Sequence, residues 1–461
     1  MLDRSILCAL GYDEHGEKIT ASFGVLVDKQ TALVALAPLL GCNEIRVHNF
    51  NDDAKVADGF VGLDVSSGLA LLRVPEFGAK PYSGPIEALP PELPETLVGV
   101  LVADQVAVGA PGIGFEAFTT KGLIECYDYN PLILLHKRPQ TIFAGSVILG
   151  SPNSIIGIVT TPINPYTVGI SAIADYKSMV RWDKPVQGDR LQEYAEGNIA
   201  KAMLLTYQAQ NLSHNDQPKA QELIERAAEL DPANPMIWYL QGEYLSSQEK
   251  YQAAILAYLK AVELGANWGN LWYALGYSQF KQGDIQAATA SLEFAIEHDI
   301  YHPAALGLLA MLRYSDSRFN AGFDLALRAS AIENDNLTHI LTLRKCNERI
   351  ERWGEMMPYW YRYMRSTNSR DVDLWRDYIS GFMGAFEYRV MTREAERGLE
   401  LIGEQDFLLA AIAWRRLLDQ QFDDAIDLAT RALEINPENR LADNVLNNAR
   451  DPIILGEDGE D

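Results

Sequence analysis

Few residues of this chain have types and spacings that could do chemistry. Among 461 residues there are only seven histidines and four cysteines. The cysteines are Cys8, Cys42, Cys126 and Cys346. They show no CxxC spacing and no paired histidine, which argues against both a zinc site and a disulfide framework. The glycine-rich run at 109–114 has no following helix or lysine, so we discount a phosphate-binding loop. We therefore predict no metal and no other cofactor.

Aromatic residues at helical spacing indicate a different chemistry, the recognition of an apolar surface. Tyr273 and Tyr277 lie one helical turn apart and would share one face of a helix. They belong to a stretch that repeats with a period of 34 residues. Four pairs of positions keep this period: Trp238 and Trp272, Gly242 and Gly276, Ala254 and Ala288, and Ala261 and Ala295.

These positions resemble tetratricopeptide repeats, in which small residues let the two helices of a pair approach closely. The resemblance is strong over 235–301 and again over 406–437, and it is degenerate between 335 and 400. It implies an all-α solenoid over 186–450, whose concave face is lined by the first helix of each pair and holds a peptide or protein.

Taking Trp238 and Trp272 as the fourth position of each repeat, the repeat register predicts which side chains face the groove. They are Tyr239, Glu243, Tyr273, Tyr277, Phe280, Met311, Tyr314, Phe407 and Trp414. Aromatic residues with acidic neighbours favour a mostly apolar partner segment that carries basic residues. The alternative for each residue is packing between repeats or against the N-terminal half.

A dense aromatic stretch from Trp353 to Tyr388 allows two interpretations. It could form a second contact surface, or it could fill the core of irregular helix pairs.

The chain before residue 186 has the pattern of short β-strands. Apolar runs rich in valine, isoleucine and leucine alternate with turn residues, which favours an antiparallel barrel or sandwich. The predicted strands cover 21–28, 31–37, 44–50, 68–74, 95–103 and 154–161. A closing helix is predicted over 174–182.

Five segments in order resemble the chymotrypsin-like fold of the bacterial HtrA (Do-type) serine proteases. They are FGVLVDKQTALVALAPLLGCNEIRV, GLDVSSGLALLRV, VAVGAPGIGFEAFTTKGLIE, TIFAGSVILGSPNSIIGIVTT and VGISAIADYKSMV. The resemblance implies an all-β trypsin-like double barrel over 1–185.

Carried over residue by residue, the resemblance places the catalytic positions on residues that cannot do the chemistry. The histidine position falls on Ala37, the aspartate position on Gly68 and the nucleophile position on Ala144. None of these side chains can transfer a proton or attack a carbonyl. The first glycine of the nucleophile loop is Ile142, which resists the tight backbone of an oxyanion hole. We therefore interpret the domain as a pseudoprotease without enzymatic activity.

A serine hydrolase with a relocated active site is the rival interpretation. Ser146 lies two residues from the nucleophile position and would need a base. The histidines before residue 186 are His15, His48 and His136, and none falls on the turn that should carry the base.

The composition limits the remaining classes of function. Lysine and arginine number 39 against 63 aspartates and glutamates, a net charge of −24. Such a chain repels phosphate backbones and anionic lipids, so we predict neither nucleic-acid nor membrane binding. We expect a soluble, cytoplasmic, non-catalytic protein that recruits or scaffolds a protein partner and ends in an acidic tail over 451–461. The alternative is a regulatory subunit that sequesters or presents a peptide in a bacterial regulated-proteolysis, signalling or defence system.

Overall fold

The chain folds into two compact units, residues 1–302 and residues 303–461. A computed structural model describes most of the chain, with gaps. The described residues are 5–49, 54–65, 67–76, 78–87, 96–102, 113–126, 129–135, 146–149, 154–164, 167–171, 176–179, 181–195, 197–212, 216–300, 302–333 and 335–450. The predicted acidic tail lies outside them, as do Ala144, His136 and most of the glycine-rich run. In the part of the chain so described, no helix is long and apolar enough to cross a membrane.

The N-terminal region is rich in β-structure, as predicted, and begins with a seven-stranded antiparallel sheet. Its strands are β1 Ile6–Tyr12, β2 Lys18–Asp28, β3 Thr31–Ala35, β4 Glu44–His48, β5 Ala54–Val56, β6 Gly59–Asp64 and β7 Leu69–Arg73. Their order across the sheet is β5-β4-β1-β2-β3-β7-β6. The β2–β3 turn is tight because the Asp28 side chain accepts a hydrogen bond from the Gln30 backbone N–H at 3.0 Å.

Six further strands close into a barrel. They are β8 Thr96–Val102, β9 Ile113–Cys126, β10 Tyr129–Leu135, β11 Val147–Leu149, β12 Ile155–Asn164 and β13 Thr167–Ser171. The order around the barrel is β10-β13-β12-β11-β8-β9. The sheet and the barrel share one apolar core, since Val25 and Leu33 from the sheet are buried together with Val147 and Ile158 from the barrel. The first seven strands form a sheet, and only the following six form a closed barrel. A trypsin-like pair of barrels therefore remains a prediction.

The helix predicted over 174–182 is wrong. The described residues there contain only a short 3-10 turn, Tyr176–Ser178. The backbone N–H of Trp182 instead donates to the Val61 carbonyl of β6 at 2.7 Å. Pro185 follows three residues later and would end a helix in any case.

The segment 182–195 is attached to the first sheet. Val186 and Phe60 exchange two backbone hydrogen bonds, of 2.8 and 2.7 Å. A 3-10 helix, Gly188–Tyr194, then leads to the first α-helix. The predicted boundary between residues 185 and 186 falls inside this segment and remains a prediction.

All regular structure in the described residues after this segment is α-helical. The helices are α1 Gly197–Leu212, α2 Gln217–Leu230, α3 Pro235–Ser247, α4 Tyr251–Glu263, α5 Gly269–Gln282, α6 Ile285–His298, α7 Pro303–Ser315, α8 Phe319–Ile332, α9 Leu337–Ile350, α10 Trp353–Thr367, α11 Val372–Gly384, α12 Tyr388–Ile402, α13 Asp406–Leu418, α14 Phe422–Ile435 and α15 Arg440–Arg450. Several begin at side-chain caps; Asn234, for example, accepts a hydrogen bond from the Met236 backbone N–H at 3.0 Å.

The small residues that repeat every 34 positions lie where paired helices touch. A Cβ atom on Gly242 of α3 would lie 2.4 Å from the Tyr258 ring of α4. A Cβ on Gly276 of α5 would lie 3.0 Å from Leu292 of α6. Ala254 of α4 and Ala288 of α6 are also fully buried. The predicted solenoid-like helical region is therefore confirmed.

The aromatic stretch between 353 and 388 mostly fills a core. Trp360, Trp375, Tyr378 and Phe382 are buried in one apolar cluster of the second unit. Phe386 differs, since it is 76% exposed. The interpretation as core is confirmed for the four buried residues.

Candidate functional site

The aromatic face of α3 and α5 is the part of the predicted groove that the structure brings together. Tyr239 of α3 is half-buried, and its ring centroid lies 6.0 Å from that of Tyr258 and 5.8 Å from that of Trp268. Tyr239 therefore packs against both its own repeat and the next. Burial raises the pKa of its phenol well above the ordinary value, and neighbouring Glu243 and Tyr273 add to the rise. The hydroxyl is accordingly neutral near pH 7.

Glu243 carries the acidic end of this face. Its side chain is exposed, and one carboxylate oxygen accepts a hydrogen bond of 2.7 Å from the Tyr258 hydroxyl. Burial first and the negative charge of Glu243 second raise the pKa of Tyr258. The predicted groove residue thus also joins α3 to α4.

Tyr273 and Tyr277 lie side by side on α5, as their spacing predicts. Their ring centroids are 6.2 Å apart, and both rings are half-buried. Tyr273 also packs on His302, with 4.7 Å between ring centroids. At the other end of the pair, the Lys281 ammonium lies 5.5 Å from the Tyr277 ring centroid. Because His302 and Lys281 fall outside the repeat positions, sequence reasoning did not identify them.

Trp272 occupies a different face of α5 from this pair. Its ring stacks on Phe294 of α6 with 4.8 Å between centroids, and its indole N–H donates to the Asn267 side chain at 2.8 Å. These contacts place Trp272 in the packing of α5 against α6.

The other predicted groove residues have varied surroundings. Phe280 is half-buried near the end of α5. In the second unit, Tyr314 packs on Phe319 of α8 with 5.6 Å between ring centroids, and Trp414 packs near Tyr388 at 6.3 Å. Tyr314 and Trp414 therefore support contacts between helices of their own unit.

Met311 is half-buried on α7, in the second unit. Phe407 of α13 is buried beneath the Arg376 guanidinium, 4.6 Å from the ring centroid. Phe407 is therefore a core residue, and its predicted place in the groove is wrong.

A second candidate centre lies where the protease resemblance places its catalytic residues. The Leu36 backbone N–H donates to the Gly68 carbonyl at 2.8 Å, so the positions of Ala37 and Gly68 are adjacent. Ser146 is buried, and its backbone carbonyl accepts a hydrogen bond from the Val159 N–H at 2.9 Å.

The candidate base His48 does not lie beside Ala37. It lies on β4, which β1 and β2 separate from β3 in the order of the sheet. Within the described ranges, no group of three histidine, cysteine or acidic side chains is arranged to hold a metal ion.

Helix α1 is the feature that sequence reasoning missed. Tyr207 is buried, and its hydroxyl would lie 3.7 Å from a Cβ placed on Gly68. The signal was present in the run AMLLTYQA, whose apolar residues cover more than one helical face, since a helix apolar on several faces is buried on several faces.

The sequence profile of the tetratricopeptide repeat family matches residues 212–270. The helical region therefore contains tetratricopeptide repeats, which imply interaction with, or scaffolding of, other proteins.

The chain is also similar to individual known proteins. Anaphase-promoting complex subunit 3 of Schizosaccharomyces pombe is 25% identical over 115 residues, which make up 25% of this chain and 17% of that protein. A tetratricopeptide repeat protein from Parabacteroides merdae is 13% identical, with a TM-score of 0.32 over 54% of this chain and 98% of that chain. The active form of a protease from M. tuberculosis is 14% identical, with a TM-score of 0.32 over 41% of this chain and 86% of that chain.

Proposed function

We propose that this chain is a cytoplasmic, non-enzymatic interaction protein that recruits a protein partner through α3 and α5. The observation that carries the proposal is the half-buried aromatic strip of Tyr239, Tyr273 and Tyr277. Aromatic side chains that are partly exposed and rigidly held are typical anchors of protein interfaces.

The partner segment that suits this strip is mostly apolar and carries basic residues. Its apolar side chains would pack on the tyrosine rings. The exposed carboxylate of Glu243 lies beside the strip, and a net charge of −24 attracts a basic partner over a longer range. Nucleic acid and membrane surfaces do not fit this charge.

The test is an affinity purification from the native cell with the full chain as bait, followed by binding measurements on the protein recovered. Tyr277→Ala should weaken binding about thirtyfold, because loss of an interface hot spot costs about 2 kcal/mol. Its helical circular dichroism should match that of the wild type.

Trp272→Ala is the matched control on the same helix. Removal of its stacking on Phe294 should lower the free energy of unfolding by about 3 kcal/mol. If both variants fold and bind like the wild type, the strip is not the partner site. If Tyr277→Ala unfolds the repeats while Trp272→Ala does not, the predicted register is shifted.

We also propose that the N-terminal region is a trypsin-like double barrel related to HtrA-type proteases that has lost catalysis. The proposed domains are 1–185 for this pseudoprotease, 186–450 for the repeats and 451–461 for the tail. The adjacency of Ala37 and Gly68 supports this, since the positions expected to hold the base and its orienting carboxylate lie together and carry neither group.

A serine-directed fluorophosphonate probe tests the loss of catalysis. We expect no covalent labelling of the full chain, because labelling requires a serine activated by a base. Ser146 is buried, and His48 lies on β4 and not on the turn that should carry the base. Labelling that disappears in Ser146→Ala would instead establish the relocated hydrolase.

A further inference from the structure

Helix α1 is buried on two faces that belong to two different cores. One face lies in the core of the first sheet and presents Met203, Leu204 and Tyr207. The other lies against α2 and presents Ala202, Leu205 and Ala209. The neighbouring leucines are equally covered, with Leu204 0% and Leu205 1% exposed.

The first of these faces covers the turn that follows β3. Ala37, Leu39 and Leu40 of this turn share one apolar core with α1. A Cβ on Gly41 would lie 2.9 Å from the Gln208 side-chain nitrogen. Because Ala37, Leu39 and Leu40 are buried in one core with α1, the helix occupies the space that an extended peptide would need against this turn.

The same helix reaches the neighbouring loop at Gly68. This glycine has a φ of +67°, and a Cβ on it would lie 3.4 Å from the Thr160 Cβ and 3.7 Å from the Tyr207 hydroxyl. Tyr207 is itself 5% exposed. An aromatic side chain of α1 therefore fills the space beside the two positions, 37 and 68, at which the protease resemblance expects a base and its carboxylate.

The segment before α1 holds the helix in this place. Val186 is paired with Phe60, and the Gly41 N–H donates to the Gly188 carbonyl at 3.3 Å. The Gln192 side-chain amide then donates to the Gln208 side-chain carbonyl at 2.8 Å. Contacts on both sides of the connection to α1 fix its direction as well as its position.

We propose that α1 permanently occupies the face of the sheet that carries Ala37 and Gly68. This face is then the anchoring site of the repeat array, and no partner peptide enters it. The regulatory alternative, in which a peptide is sequestered in a protease-like cleft, is disfavoured by this arrangement. The inference depends on packing alone and is independent of the proposed tyrosine strip.

Two adjacent leucines give a matched pair for the test, with amide hydrogen exchange measured by mass spectrometry on the full chain. Leu204→Ala should speed exchange about tenfold or more over 36–42 and 58–64, and should leave α2 close to the wild type. Leu205→Ala should speed exchange in α2 and leave 36–42 and 58–64 close to the wild type. If Leu204→Ala leaves 36–42 protected, or if both variants loosen both regions equally, the proposal is wrong.

Thiol accessibility gives a second measurement that does not depend on the folding of a leucine variant. A thiol introduced by Ala37→Cys should react with a maleimide at least about tenfold more slowly than one introduced by Ile199→Cys. Ile199 lies on the same helix and is 64% exposed. Peptide mapping separates the introduced thiols from the native cysteines. Equal rates at the two positions would show that α1 leaves its site in solution, which contradicts the proposal.

Discussion

Gly242 determines how closely α3 and α4 approach each other. Gly242→Ala should lower the free energy of unfolding by about 1–3 kcal/mol, because its Cβ would lie 2.4 Å from a rigid aromatic ring. The opposing gain in helix propensity is about 1 kcal/mol, so the clash should win. Urea denaturation followed by circular dichroism measures the difference.

Gly276→Ala is the comparison for this prediction. Its Cβ would lie 3.0 Å from the Leu292 Cγ and 3.2 Å from the Ala288 carbonyl oxygen and the Ser291 Cβ, which are tight contacts but longer than the 2.4 Å at Gly242. We expect a smaller loss of stability. If Gly242→Ala were the more stable of the two variants, α3 and α4 would not approach each other as closely at Gly242 as the 2.4 Å distance implies.

At the scale of elements, α10 and α12 are held together by a buried charge. The Glu394 carboxylate is fully buried and pairs with Arg365 and with Arg397, the latter at 3.1 Å. Arg397 also donates to the Met364 carbonyl and to Asn368. Glu394→Gln should therefore lower the free energy of unfolding by about 3 kcal/mol, because it removes the buried negative charge that pairs with Arg397, whose side chain is only 14% exposed.

An exposed ion pair of the same unit provides the control. Arg431 pairs with Glu404, and the two side chains are 40% and 57% exposed, whereas the Glu394 carboxylate is fully buried. Arg431→Gln should change the free energy of unfolding by less than about 1 kcal/mol. Thermal denaturation of the two variants distinguishes the cases, and equal effects would mean that the Glu394 pair contributes no more than a surface pair.

The elements predicted from the sequence were those with a regular pattern. The period of 34 identified α3 to α6 because each repeat must bury the same small residues. Apolar runs bounded by turn residues identified strands such as β2 and β12. The predicted helix over 174–182 failed because a long-range partner, β6, takes the Trp182 N–H, and local sequence does not reveal such a partner.

The candidate site was only partly predictable for the same reason. The spacing of Tyr273 and Tyr277 on one helix is a local property and was correctly predicted. Glu243 was predicted as a groove residue, and the spacing did not reveal that its carboxylate also accepts a hydrogen bond from the Tyr258 hydroxyl of the paired helix. Phe407 is buried under Arg376 from another helix pair, a contact that depends on how irregular repeats stack.

At the scale of the whole molecule, the sequence changes from a strand pattern to a helix pattern near residue 186. Contacts with the first sheet nevertheless continue beyond this residue. We predict that trypsin leaves the bonds after Arg181 and Arg190 intact in the folded chain. Trp182 is bonded to β6, and Leu191 is fully buried. Early fragments beginning at residue 182 or 191, identified by mass spectrometry, would contradict this. The control is the denatured chain, which trypsin should cut readily at both bonds.

The double burial of α1 has a consequence for synthesis on the ribosome. The first sheet is complete in sequence by Arg73, yet the helix that covers its Ala37 face ends at Leu212. Chains are elongated at roughly 5–20 residues per second, so the 139 intervening residues take about 7 to 28 seconds to add. For that interval the nascent sheet exposes an uncovered apolar face, at which a cellular chaperone could compete with α1.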